Sequence, residues 1–573
     1  MNRRRFLIDS SAASGLMAGV GALPMLALAD GSANAAAPET APITRAQSVR
    51  VLAEGAPNSL DPHGDGFNRE SLGAFTNVYD TLIQFDRTAV AGSAGFYHYD
   101  YRHFTGALAQ TFTPLDGGKS WRFHLRDGAT FHSGRPVDAH AVKWSLDRAV
   151  TLPGSKQQLS TGSMTDPSQF VVEDPLTLRI DLPRADRYLL PNLALTYGAV
   201  LDAGTIQAHA TQDDPWARDW LRAQGAGGGA FKVAAWTPGQ RIAYTRFDAW
   251  RSGRDGALPY VRQAIAQAMP DAANRVAALS RGDADIVLQL RPNDFDAAGK
   301  LAGVRPLSIP LTNAFRFLSF NVRAKPFDDP RVRQAIAYAL PYQAMFDGVA
   351  RGHGAKLFGA KPFDIGSDNA EAPVASFPQP YPYDTRIARA QMLLRDAGLP
   401  NGFATTLSYS SADVSTAEPT ALLIQQALQA IGIRIQLEKV PGTQWAERET
   451  QKTLPLFIDW SSAWFNEPDY FYRIFFEGDW RWNFSSYDDP ALKKLTDTAR
   501  WLSAAGEQAQ YEQLMRKAAA RVMRNVPLIP LWTPSFDVAM RRDLTGFTYY
   551  VHGQVDFRTL ARTASREGAA SGS

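Results

Sequence analysis

Apolar and polar positions alternate at two different periods along this chain. The clearest change of period lies in WRFHLRDGATFHSGRPVDAHAVKWSLDRAV, residues 121–150. Trp121, Phe123 and Leu125 alternate with Arg122, His124 and Arg126, the two-residue period of a half-buried strand. Asp127-Gly128 then predicts a turn. Asp138 is placed to cap a helix whose apolar face is Val142, Leu146 and Ala149 or Val150.

The same reading runs along the rest of the chain. It predicts a strand over 49–52, a helix over 77–83 and a hairpin over 170–182, where Leu176, Leu178, Ile180 and Leu182 alternate after Asp174-Pro175. A β-α-β unit follows, with strands near 265–269 and over 285–288. Its helix opens on Pro270-Asp271 and closes at Gly282. After Pro310 the pattern predicts a strand over 315–321 and a helix from Asp329-Pro330 to Leu340. Asp384 is expected to cap a helix that ends before Gly398, and a further helix spans 418–431. Ile433, Ile435 and Leu437 mark another strand, and Asp489-Pro490 opens a long helical region to Asn525. Strands alternating with helices place the chain in the α/β class.

The wording of these segments carries more than their period. The 121–150 block resembles the signature of the family 5 extracytoplasmic solute-binding proteins, the receptors of peptide and nickel ABC importers, which reads like "tFhLRxGvkFhdGxPxxAeDVxxSxxRa". Leu60-Asp61-Pro62-His63, Trp236-Thr237-Pro238-Gly239-Gln240, the 329–340 helix and Val526-Pro527-Leu528-Ile529-Pro530-Leu531-Trp532 resemble other elements of that family. The resemblance covers about residues 49–560. It implies the two-lobed periplasmic-binding-protein fold of the large peptide-receptor type: two α/β lobes, hinge segments and an extra subdomain in the first lobe. The expected first lobe is 46–86 with 225–310 and 530–562, with 87–224 as its extra subdomain. The second lobe is 311–529. Crossing segments are expected near 306–313 and 525–531.

The ends supply an address. Arg3-Arg4-Arg5-Phe6-Leu7 fits a twin-arginine export signal, followed by a weakly apolar stretch and small-residue cleavage sites, so residues 1–35 read as a removed signal peptide. An ordinary secretory signal is the alternative. Gly15, Gly19, Gly21 and Pro24 argue against a membrane anchor. The chain has no cysteine, which excludes disulfides, thiolate metal sites, a thiol nucleophile and a lipid anchor on Cys. Residues 1–35 hold three Arg and two Asp, so without them the net charge falls from +3 to +2. That near balance, with no basic run after the signal, does not suggest a nucleic-acid partner. Residues 563–573 read as a disordered Ala/Gly/Ser tail.

Candidate chemistry concentrates in residues 457–487, where thirteen of thirty-one are Phe, Tyr or Trp, interleaved with Asp459, Glu467, Asp469, Glu477 and Asp479. Such rings stack on ligands or attract cations, and the carboxylates accept from amines. The alternative for each ring is core packing, which the buried-strand pattern of 456–460 favours for Phe457. The loop over 461–468 is the stronger candidate. Asn466-Glu467-Pro468-Asp469 resembles the family's "[ND][ED]PD" element. The resemblance implies an Asp four residues before this Pro, for a peptide's α-ammonium, and this chain has Trp464 there. It also implies an Arg before the 418–431 helix for the peptide's carboxylate, where Ser411 stands. Both departures weigh against a simple α-peptide, because a buried unpaired ammonium is costly. Trp464, Phe465 and Asn466 are the candidate ligand contacts, with Trp460 and Ser411 beside them, and His63 and Phe67 on the first-lobe side.

Enzyme motifs fail. Gly118-Lys119-Ser120 imitates a phosphate loop, but Thr113 stands where a glycine is needed. Neither H-E-x-x-H nor G-x-S-x-G occurs. No histidine lies between His353 and His552, which disfavours nickel. The expectation is a soluble, monomeric periplasmic receptor with no cofactor and no enzymatic activity. It would close two lobes on a peptide, a peptide-like solute or a non-peptide such as a glycoside, an opine-like conjugate or a cation. It would then dock on an ABC importer permease with its ATPase subunits, or act as a sensor without transport. Its export would use the twin-arginine machinery.

Overall fold

Two large sheets organise the molecule, and the chain threads from one to the other and back. The computed structural model describes residues 44–253, 256–361, 379–502 and 505–563. The expected signal over 1–35, and all but the first residue of the expected tail over 563–573, lie outside the described residues.

The first sheet has seven strands, in the order Phe231–Thr237, Arg241–Arg246, Gln263–Ala268, Ser48–Ala53, Ile286–Val287, Ser535–Arg541 and Val304–Pro310. Ser48–Ala53 pairs in parallel with both of its neighbours. The connecting helix Ala272–Arg281 is punctuated as its sequence dictates. Asp271 accepts from the Asn274 N–H at its start, and Gly282 takes a left-handed φ of 80° at its end. The second sheet has six strands, in the order Ala355–Lys356, Leu528–Thr533, Ala314–Phe320, Leu456–Ser462, Ala404–Ser410 and Arg434–Val440. Every residue of Ala314–Phe320 is buried, as expected of a central strand covered on both faces.

The chain leaves the first sheet at Pro310 and enters the second at Ala314. It returns at Pro534, between Leu528–Thr533 and Ser535–Arg541. The Leu311 N–H donates to the Pro534 carbonyl at 2.9 Å and ties the two crossings together. The return thus lies beyond the expected 525–531, because Leu528–Thr533 is taken up as a second-sheet strand against Ala314–Phe320.

A four-stranded sheet, Ala109–Leu115, Ser120–Leu125, Thr177–Asp181 and Phe170–Asp174, fills much of the 87–224 segment. Phe123 and Leu125 point into its core, and Arg122 pairs with Glu173 outside. Helix Ala139–Thr151 starts on Asp138, whose carboxylate accepts from the Ala141 N–H at 2.8 Å. It buries Val142, Leu146, Ala149 and Val150.

Four expected elements differ, the first being the helix expected over 418–431, which is Val414–Gln429. The helix expected over 77–83 is Ser71–Val78, and the chain beyond it is extended. There Ile83 and Phe85 alternate inward, and Ile83–Ala89 pairs with Phe96–Gly106. Asp384 caps nothing. It pairs with Arg386, and the helix begins at Ile387. The long helical region is two helices, Pro490–Ala499 and Gln508–Asn525. Among the described residues no helix is long and apolar enough to cross a membrane.

Candidate functional site

Between the two large sheets lies a cleft of about 650 Å³ whose walls come from both. That volume falls within the roughly 300–1,000 Å³ of small-molecule sites. A recess of about 290 Å³ shares Arg69 and Trp460 with it.

The second-sheet wall follows from strand register. Arg316 stands opposite Trp460 on one side and Trp532 on the other, so these three share one face of the sheet. The Arg316 guanidinium lies 5.6 Å from the Trp532 ring and pairs with Asp413 at 2.5 Å. Trp460 carries a different cation, because the Arg69 guanidinium reaches from the segment before Ser71–Val78 to 5.1 Å from its ring. Asp459, one residue back, accepts from Trp445 Nε1 at 2.9 Å and from the Trp460 N–H at 2.7 Å. Burial, and then the neighbouring Asp459 carboxylate, push the Glu449 carboxyl well up, although Arg481 lies 2.7 Å from it. On the first-sheet side, Asp537 accepts from His353 Nδ1 at 2.7 Å.

The seven sequence candidates separate into two groups. Trp460, Trp464 and Phe67 line the recess together. Trp464 meets Tyr197 edge-on at 5.4 Å and packs against the apolar cores of both halves. Phe67 stands edge-on to Phe75 at 5.2 Å. The other four line neither cavity. Phe465 is 2% exposed, stacked on Tyr188 at 5.4 Å and edge-on to Tyr470 at 4.9 Å. Asn466 is half-buried beside it. Ser411 Oγ accepts from the Gly442 N–H at 3.0 Å, while its neighbours Ser410, Ala412 and Asp413 line the cleft. His63 is wholly buried behind the bidentate Asp61–Arg148 pair, and burial holds its ring neutral down to about 3.

Sequence reasoning missed Arg69, Arg316, Asp413, Trp445, Trp532 and Asp537. Single charged residues scattered over four segments form no motif. Only Arg69, two residues beyond Phe67, and Asp413, two beyond Ser411, lay near a candidate.

Against known proteins, a family model described as "Bacterial extracellular solute-binding proteins, family 5 Middle" matches residues 103–483. The glutathione-binding protein GsiB of Pectobacterium atrosepticum is 26% identical over 89% of this chain and 93% of its own length. The probable D,D-dipeptide-binding periplasmic protein DdpA of Escherichia coli K12 is 26% identical over 86% of this chain and 90% of its own. Among solved structures, the periplasmic binding protein DppA from Helicobacter pylori, in complex with peptide STSA, superposes with a TM-score of 0.71 at 22% identity. It covers 90% of this chain and 98% of its own. AgaA from A. tumefaciens R10, in complex with agropinic acid, gives 0.69 at 23% identity over 90% and 99%. These neighbours share the two-lobed fold.

Proposed function

Since the chain belongs to the bacterial extracellular solute-binding proteins of family 5, we propose that it captures a peptide or peptide-like solute between its two halves and delivers it to the permease of an ABC importer. The observation that carries this reading is the cleft of about 650 Å³, walled by both sheets and bordered by rings and charges of both signs. Contacts from both sides give a solute more interaction in the closed form than in the open one, so binding shifts the hinge population. The relatives named for glutathione and D,D-dipeptides support a peptide-like solute. Trp460, Trp464 and Phe67 are the sequence candidates placed to touch it.

A second reading has one observation in its favour. Trp464 stands where the resemblance implies a carboxylate, and a fold neighbour with agropinic acid carries a non-peptide solute. The test is native mass spectrometry of the periplasmically purified protein, followed by release of whatever is bound. Peptides of unchanged covalent structure are expected. A single non-peptide species selects the second reading, and a solute converted during incubation overturns a purely binding role.

Export by the twin-arginine route, with the mature protein a monomer free in the periplasm, completes the proposal. Replacing Arg3 and Arg4 by Lys is expected to hold the precursor in the cytoplasm, and normal periplasmic yield would assign the ordinary secretory route. Light scattering of the mature protein checks the monomer.

A further inference from the structure

We propose that the cleft grips its solute as a zwitterion from the first-sheet side, with Arg69 receiving a carboxylate and the free oxygen of Asp537 receiving an ammonium. This rests on the solute-receptor reading and names the solute class: amino-acid-like molecules with both charges, such as short or side-chain-linked peptides and amino-acid conjugates.

Arg69 stands apart from the other arginines of the cleft. Arg316 is paired with Asp413, and Arg481 with Glu449. Arg291 is exposed at the mouth. Arg69 is half-buried, yet among the described residues it makes no ion pair, and the neighbouring Glu70 carboxylate acts on it only at longer range. Its contacts are the Trp460 ring at 5.1 Å and Ser462 Oγ at 3.5 Å. Burial lowers its pKa, so the site disfavours the charge that the side chain carries. An incoming carboxylate offsets that penalty, and the planar guanidinium suits it, offering two parallel N–H donors.

Asp537 presents the opposite requirement. It is 5% exposed, and Oδ2 accepts from His353 Nδ1. Oδ1 is buried without a partner and belongs to a residue lining the same cleft as Arg69. An ionised carboxylate only accepts hydrogen bonds, so the group that satisfies Oδ1 is a donor, and an ammonium is the donor with matching charge. Asp537 sits on Ser535–Arg541 in the first sheet, and Arg69 precedes the helix Ser71–Val78, which packs against the Phe231–Thr237 strand of that sheet. Trp460 and Trp532 come from the second sheet. The two anchoring charges of this proposal thus come from the first half, and Trp460 and Trp532 face them from the second. This arrangement dispenses with a carboxylate at 464 and an arginine at 411.

The experiment uses protein stripped of solute by denaturation and refolding. It is incubated with a mixture of glutathione and a peptic casein digest, and native mass spectrometry reads what is retained. Portions of the same mixture are methyl-esterified or N-acetylated. The unmodified protein is expected to retain species from the untreated mixture at least tenfold better than from either derivatised one. Arg69→Gln is expected to lose that retention and become indifferent to esterification. Asp537→Asn is expected to become indifferent to acetylation. Melting curves report folding, and if Asp537→Asn melts early, Arg69→Gln and Arg69→Lys carry the test alone. Peptides held equally by unmodified protein and both variants overturn the anchors and leave the receptor reading standing. Equal retention of esterified and untreated species overturns the role of Arg69. Retention of nothing from the untreated mixture overturns the peptide reading and the anchors together.

Discussion

Asp469 and Arg69 both lie where the two halves of the molecule meet, but their surroundings differ. Asp469 is fully buried on helix Pro468–Phe476. It accepts from Tyr188 Oη at 2.5 Å and Tyr511 Oη at 2.7 Å, and pairs with Arg473 at 3.5 Å. Around it Arg187 pairs with Glu467 at 3.2 Å and stacks on Tyr511, and Tyr470 Oη donates to Gln158 at 2.9 Å. Arg69 faces a cleft with room left over and, among the described residues, makes no ion pair. At Asp469 the protein sets charge against charge inside itself, although Asp469 Oδ2 and Arg473 Nε meet only as an ion pair and make no hydrogen bond. At Arg69 it leaves charge to be answered from outside.

The difference separates two tasks of a closing molecule. Contact around Asp469 joins the four-stranded segment to the second-sheet half through one continuous apolar core, so it stabilises the arrangement of the parts whether or not a solute is present. Contact around Arg69 has unused bonding capacity, which is what lets a solute change the balance between forms.

The largest expected effect comes from breaking the internally paired side. Asp469→Ala strands the buried Arg473 cation and two tyrosine hydroxyls. Removing one partner of a buried ion pair costs about 3–5 kcal/mol. Urea denaturation is expected to show a loss of that order, with the solute affinity of the remaining folded protein little changed. A loss below about 1 kcal/mol would mean that water replaces the missing carboxylate and that the contact is not dry.

A second prediction concerns the wall behind the recess, where burial acts on a titrating group. Burial first, and then the Arg148 charge, depress the His63 pKa from 6.5 to about 3. The folded state refuses a proton that the unfolded chain accepts between those values. Stability is therefore full above pH 6.5 and falls as the pH drops through that window, by about 1.4 kcal/mol per pH unit. His552, depressed by burial to about 3, has the same sign. His63→Gln is thus expected to remove part of the acid slope, read from denaturation midpoints at pH 4, 5, 6 and 7. An unchanged slope would place the titration elsewhere.

The same two regions show what the sequence made legible. Elements with local punctuation were readable, because Asp138 and Asp271 cap the helices that their spacing predicted. Period and caps act over a few residues. The extended run after Val78 was not readable, since pairing with Phe96–Gly106 decided it. Within the aromatic-rich segment, composition pointed to the right strand but could not assign the rings. Trp460 and Phe465 lie five residues apart. One faces the cleft and the other is stacked on Tyr188, a residue far away in the chain. Arg69, Arg316 and Asp537 become a site only through strand register and the crossing of the chain, and neither leaves a local signature.

The smallest effect tests whether the cleft ends where its lining ends. Ser411 accepts from the Gly442 N–H at 3.0 Å and so ties the turn after Ala404–Ser410 to helix Gly442–Thr450. Its neighbours on both sides line the cleft, but it does not. If its work is to hold that turn, Ser411→Ala costs about 1 kcal/mol, the net worth of one hydrogen bond. The Kd for the solute that the unmodified protein retains would then stay within about twofold, since a difference of 1.4 kcal/mol is tenfold. A tenfold weaker Kd with unchanged stability would reverse the assignment. Ser411 would then touch solute, and the cleft's unanswered bonding capacity would extend into the second-sheet wall.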